Sequence, residues 1–114
     1  MLVTFYGVRG SIAAPGPKTI KYGGNTSCVH VRLNDGNNVI FDAGTGIREL
    51  GFRMVRNDEP LLLLLSHGHW DHIQGYPFFA PIYQPDREIR ICQSIDSNAV
   101  SLKAILEQMD GSTF

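Results

Sequence analysis

Little in this chain of 114 residues could hold it together by covalent bonds or anchor it in a bilayer. Its two cysteines, Cys28 and Cys92, stand 64 positions apart with no CxxC spacing, which excludes a disulfide framework and a cysteine-rich zinc site. The longest apolar run is Leu61 to Leu65, against the roughly 18 residues that span a bilayer, and no basic stretch leads into an apolar segment near Met1. No membrane association and a cytoplasmic location are therefore expected. Charge of one sign is also missing: 10 Lys and Arg against 11 Asp and Glu leave a net charge of -1, which argues against a general nucleic-acid binder. Internal repeats and low-complexity segments are absent. With 43% hydrophobic residues the chain has material for one core and is too short for two.

What is present reads as alternating strands and helices. Leu2 to Tyr6 is β-branched and aromatic and ends at Gly7, a strand pattern. Residues 7–24 hold five glycines and two prolines and form a long loop, a kind of segment that is often functional. Val29, Val31 and Leu33 alternate with Cys28, His30 and Arg32, and the turn residues Asn34, Asp35, Gly36 and Asn37 lead into a second strand at residues 38–42, so this stretch predicts a hairpin. Beyond Gly44-Thr45-Gly46, Ile47, Leu50 and Met54 recur at helical spacing to about Arg56. The leucine run predicts a central strand covered on both faces, residues 88–92 another strand, and Ser97 the cap of a helix carrying Leu102, Ile105, Leu106 and Met109. This order indicates α/β architecture, with hairpin strands leading into parallel crossover units.

Three of the four histidines lie within Ser66-His67-Gly68-His69-Trp70-Asp71-His72, directly after the leucine strand. A solitary histidine, such as His30, usually reads as a satisfied core or surface residue. A cluster at a strand's carboxyl end, where open α/β sheets place their sites, reads as metal ligands. His67 and His69, at i and i+2 on an extended segment, point the same way and can share an ion. A turn into a helix brings Asp71 and His72 to a second ion beside the first. Asp42 is a candidate for orienting a ligand histidine through its other ring nitrogen. Arg9 and Ser11 in the long loop, and Asn25 at its end, are candidate substrate contacts, arginine being suited to bidentate phosphate binding. Gly44-Thr45-Gly46 does not make a dinucleotide loop, because the next glycine is Gly51 and no acidic residue follows at the ribose position. Tyr76, Phe78, Phe79 and Tyr83 read as core packing.

The HxHxDH signature, preceded by Phe41-Asp42-Ala43-Gly44-Thr45-Gly46 and the hairpin, resembles the metallo-β-lactamase superfamily. Gly7-Val8-Arg9-Gly10-Ser11, Tyr22-Gly23-Gly24-Asn25-Thr26-Ser27-Cys28 and residues 69–79 are similar to its branch of cyclic-phosphate and cyclic-nucleotide phosphodiesterases, near the ribonuclease Z group. The resemblance implies an αββα sandwich, of which residues 1–114 would be the N-terminal half of one domain. It further implies two divalent ions, zinc or alternatively manganese, with His67 and His69 on the first and Asp71 and His72 on the second, and Asp71 as the catalytic residue. The family completes its sites with a His, a bridging Asp and a last His from the C-terminal half. No His follows His72 here, and Asp86, Asp96 and Asp110 stand in no matching context.

The expected activity is metal-dependent hydrolysis of a small phosphodiester or cyclic phosphate by a two-metal bridging hydroxide. A thioester or lactam hydrolase of the same fold is one alternative; a non-catalytic metal- or partner-binding half-domain is another. The shortage of ligands and an uncovered sheet face lead to the expectation of self-association or of a complementary C-terminal half as partner.

Overall fold

The computed structural model describes residues 1–93, 104 and 106–108. Five strands form one sheet in chain order: β1 (Leu2–Gly7), β2 (Cys28–Arg32), β3 (Asn38–Phe41), β4 (Leu61–Leu65) and β5 (Ile89–Gln93). β1, β2 and β3 pair antiparallel; β3, β4 and β5 pair parallel, with α1 (Ile47–Met54) making the crossover from β3 to β4. The four-residue helix α2 (Trp70–Ile73) and short 3₁₀ turns at Tyr76–Phe78 and Ala80–Tyr83 fill the connection from β4 to β5. The α/β class expected from the sequence is what forms: one mixed sheet with its helices against one face, as in half of a two-sheet sandwich.

The hairpin forms where its turn residues predict it. Gly36 takes φ 86, and the Asp35 carboxylate accepts the Asn37 N–H at 2.9 Å, the Asx geometry that makes aspartate a turn former. On the inner face, Cys28, Ile40, Leu61, Leu63 and Leu65 pack with Ile47, Leu50 and Met54 of α1 and with Ile73, Tyr76 and Phe79. His30 is buried on this face and bonds Asn38 Oδ1 at 2.8 Å; the Asn38 amide in turn donates to Glu59, which pairs with Arg32 at 2.6 Å. Beyond α1, Arg87 donates to the Met54, Asn57 and Glu59 carbonyls, so one guanidinium satisfies acceptors along the route from helix to β4.

Two expectations are corrected. Among the described residues β4 is fully covered on one face only: Leu61, Leu63 and Leu65 are buried, whereas Leu62 and Leu64 are half-buried. The outer face carries two apolar rows set by the strand register, Phe5–Val29–Phe41–Leu64 and Val3–Val31–Val39–Leu62. Among the described residues these rows stay open, with Phe5 68%, Phe41 44% and Val3 43% exposed. A leucine run reports apolar surroundings but not whether the chain's own helices provide them on both sides. Second, the aromatic run divides, with Tyr76 and Phe79 in the core and Phe78 and Tyr83 exposed. The helix α1 ends at Met54 with Val55 as its cap, in agreement with the helical spacing to about Arg56. Of the helix expected after Ser97, Ala104 and residues 106–108 are helical and Leu106 joins the core; Ser97, Leu102, Ile105 and Met109 lie outside the described residues.

One-sided burial makes neighbouring leucines unequal. Leu63→Ala is expected to cost about 2–5 kcal/mol through the cavity it leaves, and Leu62→Ala well under half of that loss, in chemical denaturation of each variant. Equal losses would mean that both faces are covered.

Candidate active site

The site lies at the carboxyl ends of the parallel strands β3 and β4, and the residue that organises it is Asp42. Asp42 takes φ 66, a left-handed conformation that turns the chain sharply off β3. Its N–H donates to Leu64 O at 2.9 Å, and its side chain is buried. The carboxylate accepts the Ser66 N–H at 2.7 Å and the Ser66 hydroxyl at 2.9 and 2.8 Å, together with His72 Nδ1 at 2.9 Å. A carboxylate only accepts, so His72 carries its proton on Nδ1 and presents the Nε2 lone pair. The single Ser66 proton is spent on Asp42, so Ser66 Oγ accepts from His67 Nδ1 at 2.9 Å and His67 also presents Nε2. One buried carboxylate thus sets the tautomer of two histidines, one directly and one through Ser66. Asp42 was legible as an orienting group; Ser66 was not singled out, although a hydroxyl residue between a buried strand and the first histidine was the available signal.

Glycines let the loops close on this point. A Cβ on Gly44 would lie 2.5 Å from Asp71 O and from Thr26 Oγ1, and one on Gly75 2.0 Å from Gly44 O. Thr26 and Thr45 exchange bonds, each backbone N–H donating to the other's hydroxyl at 2.8 Å, which ties the end of the long loop to the turn before α1. The helix α2 then carries Asp71 and His72 back over Ala43, whose N–H donates to His72 O at 2.8 Å.

The structure brings His67, His69, Asp71 and His72 together. The His67 ring lies 4.4 Å from that of His69, edge-on, and 4.1 Å from that of His72. His72 Nε2 and Asp71 Oδ2 are 3.4 Å apart, about the edge of a tetrahedron whose bonds are ~2.1 Å long. Imidazole nitrogen and carboxylate oxygen are the donors of zinc and manganese sites, and a carboxylate behind a histidine is their usual support, so the chemistry fits a divalent ion. Among the described residues no three such side chains converge so that they could hold an ion together. Asp86 supplies none of the missing donors. It lies in the turn that enters β5, beside the start of β4 and therefore about 16 Å of strand away from the histidines. Asp96 and Asp110 lie outside the described residues.

The loop residues take definite positions. The Ser11 N–H, at φ 72, donates to Asp71 Oδ2 at 3.0 Å, so Ser11 holds a candidate ligand through its backbone. That bond first, and the neighbouring His72 and His69 next, hold the Asp71 carboxyl below the ordinary carboxylate range. The Arg9 N–H donates to Asn25 O at 3.0 Å, and the Arg9 Nε to Ile12 O at 2.8 Å. The Asn25 side chain accepts from Thr45 Oγ1 at 3.2 Å and borders a groove of about 350 Å³ with Arg48, Gln74 and Phe78. Cys28, beneath the site, is no nucleophile: burial, with the Asp42 charge adding to it, pushes its thiol up to about 12.

Asp42→Asn keeps the shape while removing the charge and the constraint on both imidazole protons. It is expected to weaken divalent-metal binding about 10- to 100-fold, read by titration of the folded chain with zinc or manganese. Unchanged affinity would show that Asp42 only closes the β3 turn.

Residues 22–89 match the family model described as the metallo-beta-lactamase superfamily. A protein described as a UPF0173 metal-dependent hydrolase, from Enterococcus faecalis (strain ATCC 700802 / V583), is 40% identical over 47 residues, which make up 41% of this chain and 21% of that protein. The chain thus matches about a fifth of that relative's length. No solved structure matches it. With well over half of its residues inside the family model, including the strands β2 to β4 and the whole histidine motif, the chain belongs to the metallo-beta-lactamase superfamily.

Proposed function

We propose that this chain carries the ligand-bearing part of a metal-dependent phosphodiesterase acting on a small phosphodiester or cyclic phosphate. The observation that carries the reading is the pairing of donors at the carboxyl ends of β3 and β4, with His67 and His72 fixed by the Asp42–Ser66 junction to present Nε2. His67 and His69 would hold one ion, and Asp71 and His72 the other. Divalent ions held there would supply Lewis acidity toward phosphoryl oxygens and an activated water. The residues supply the rest: Asp71, kept ionised by the Ser11 N–H, offers an anionic oxygen to the ion, while Asp42 accepts the Nδ1–H of His72 so that its Nε2 faces the site. Phosphorus rather than an acyl carbon is favoured by the likeness of residues 7–11, 22–28 and 69–79 to the phosphodiesterase branch and by Arg9 beside the loop that touches Asp71. No helix among the described residues is long and apolar enough to cross a membrane.

In the complete domain, His67→Ala and His69→Ala are each expected to abolish turnover of bis(p-nitrophenyl) phosphate in the presence of zinc or manganese, because each removes a donor from the same ion. Undiminished hydrolysis in either variant overturns the ligand assignment. Faster cleavage of an aryl thioester than of the diester by the unaltered complete domain overturns the substrate class.

The partner belongs to the same reading. Two catalytic ions need about three protein ligands each, and the motif offers four side chains. The two open apolar rows of the outer face form a surface of the kind that a second sheet covers at about 10 Å. The chain, taken alone, is expected to associate with itself or with a complementary C-terminal half, and to hold at most about one tightly bound metal. Light scattering beside elemental analysis checks this, and a monomer carrying two metals per chain and cleaving the diester would refute it.

A further inference from the structure

We infer that the Thr26 hydroxyl is the positioning group for the Asp71–His72 half of the site, so that these two donors are held by a network separate from the one that sets His67. The inference rests on the metal assignment proposed above and divides it in two. Thr26 is fully buried at the end of the long loop, against the turn that leaves β3. Its hydroxyl accepts the Thr45 N–H at 2.8 Å and the Gln74 side-chain amide at 3.4 Å, and donates to Thr45 Oγ1 at 3.4 Å. Thr45 Oγ1 accepts the Thr26 N–H at 2.8 Å and donates to Asn25 Oδ1 at 3.2 Å. Each hydroxyl thus spends its one proton and both lone pairs inside the network, which leaves neither free to turn toward another partner.

This network reaches the ligands through the backbone. The helix α2 has four residues and cannot stand by itself, so its place is set by what it docks on. It docks on Ala43: the Ala43 N–H donates to His72 O at 2.8 Å, and the Gly75 N–H to Ala43 O at 2.9 Å. The same turn is held from its other side by residues 26 and 27, the Gly44 N–H donating to Ser27 O at 2.9 Å and the Gly46 N–H to Thr26 O at 3.3 Å. Gly44 lies between the two layers, since a Cβ there would meet both Thr26 Oγ1 and Asp71 O at 2.5 Å. Gln74, two residues beyond His72, adds a direct strap from the end of α2 to the Thr26 hydroxyl.

His67 and His69 take their places differently. They follow β4 directly, and His67 is oriented by Ser66 on Asp42. Asp42 reaches both halves of the site, because it also fixes the His72 ring. Thr26 acts instead on the backbone that carries Asp71 and His72. Removing its hydroxyl leaves the Thr45 N–H without its acceptor and releases Gln74, so the turn and α2 loosen together while the end of β4 keeps its bonds.

The test compares Thr26→Val, which keeps the side chain's shape without the hydroxyl, with Thr26→Ser, which keeps the hydroxyl, in the complete domain. In the metal-free protein, amide exchange at Ala43 and Gly75 is expected to quicken about tenfold in Thr26→Val while the amides of β4 keep their rates. Zinc titration is followed by the ring-nitrogen signals of the histidines. In Thr26→Val, His72 is expected to need about tenfold more zinc than in the unaltered protein and His69 the same amount, and Thr26→Ser to restore both measures. Gln74→Leu removes only the strap, at a half-buried position, and is expected to shift His72 in the same direction by less; it decides the matter if Thr26→Val does not fold. Equal weakening at His69 and His72, or no change at either, overturns the proposal, as does failure of Thr26→Ser to restore His72. Quickened exchange at Ala43 and Gly75, in a domain whose histidine signals do not respond to zinc, would support Thr26 as the anchor of α2 while overturning the metal assignment.

Discussion

The structure depends on what the Asp42 carboxylate accepts. Buried at the end of β3, it takes the Ser66 N–H and hydroxyl from the end of β4 and the Nδ1 proton of His72 from α2. A buried carboxylate is costly unless its lone pairs are filled, so the three donors and the left-handed turn at φ 66 stand or fall together. Because the hydroxyl of Ser66 is committed there, its remaining acceptor capacity fixes His67 as well. Backbone geometry, burial and histidine protonation are thus parts of one hydrogen-bond network rather than separate features.

The second constraint is closeness. Three backbone segments meet within van der Waals reach at Gly44, Asp71 and Thr26, and Gly75 presses on Gly44 itself. No side chain fits between them, which is why glycines stand at these two positions. The reciprocal Thr26–Thr45 bonds hold the long N-terminal loop against this junction, and the Ser11 N–H reaches Asp71 from the same loop. Residues 8–27 have little regular structure because their bonds are scattered ones, from the Arg9 N–H to Asn25 O and the Ala14 N–H to Gly24 O within the loop and from the Ser11 N–H to the Asp71 carboxylate, rather than a strand ladder.

Much of this was legible in the sequence. Asn34 to Asn37 carry the chemistry of a turn, and Gly36 duly takes φ 86. Ile47, Leu50 and Met54 show the face of α1 that packs inward. The HxHxDH spacing shows that His67, His69, Asp71 and His72 can meet. What it does not carry is depth or direction. Ser66 and Ser11 became positioning groups through contacts 24 and 60 residues away, and no local pattern encodes separations of that kind. Ser11 also acts through its backbone, which every residue possesses, so its side chain could not have revealed the role.

The leucine strand shows where apolar pattern stops being informative. Leu61, Leu63 and Leu65 face α1, while Leu62 and Leu64 continue rows that run through Val39 and Phe41 to Val3 and Phe5. Alternation marks a strand with one wet face, and its absence in β4 predicts two dry faces, of which the described residues cover one. The inner face is dried by the chain's own helices. On the outer face β1, β2 and β3 contribute valine and phenylalanine from three further strands, too consistent a pattern for scattered surface hydrophobics. Apolar composition therefore marks Phe5, Val29, Phe41 and Leu64 as one continuous row, which the described residues leave partly open.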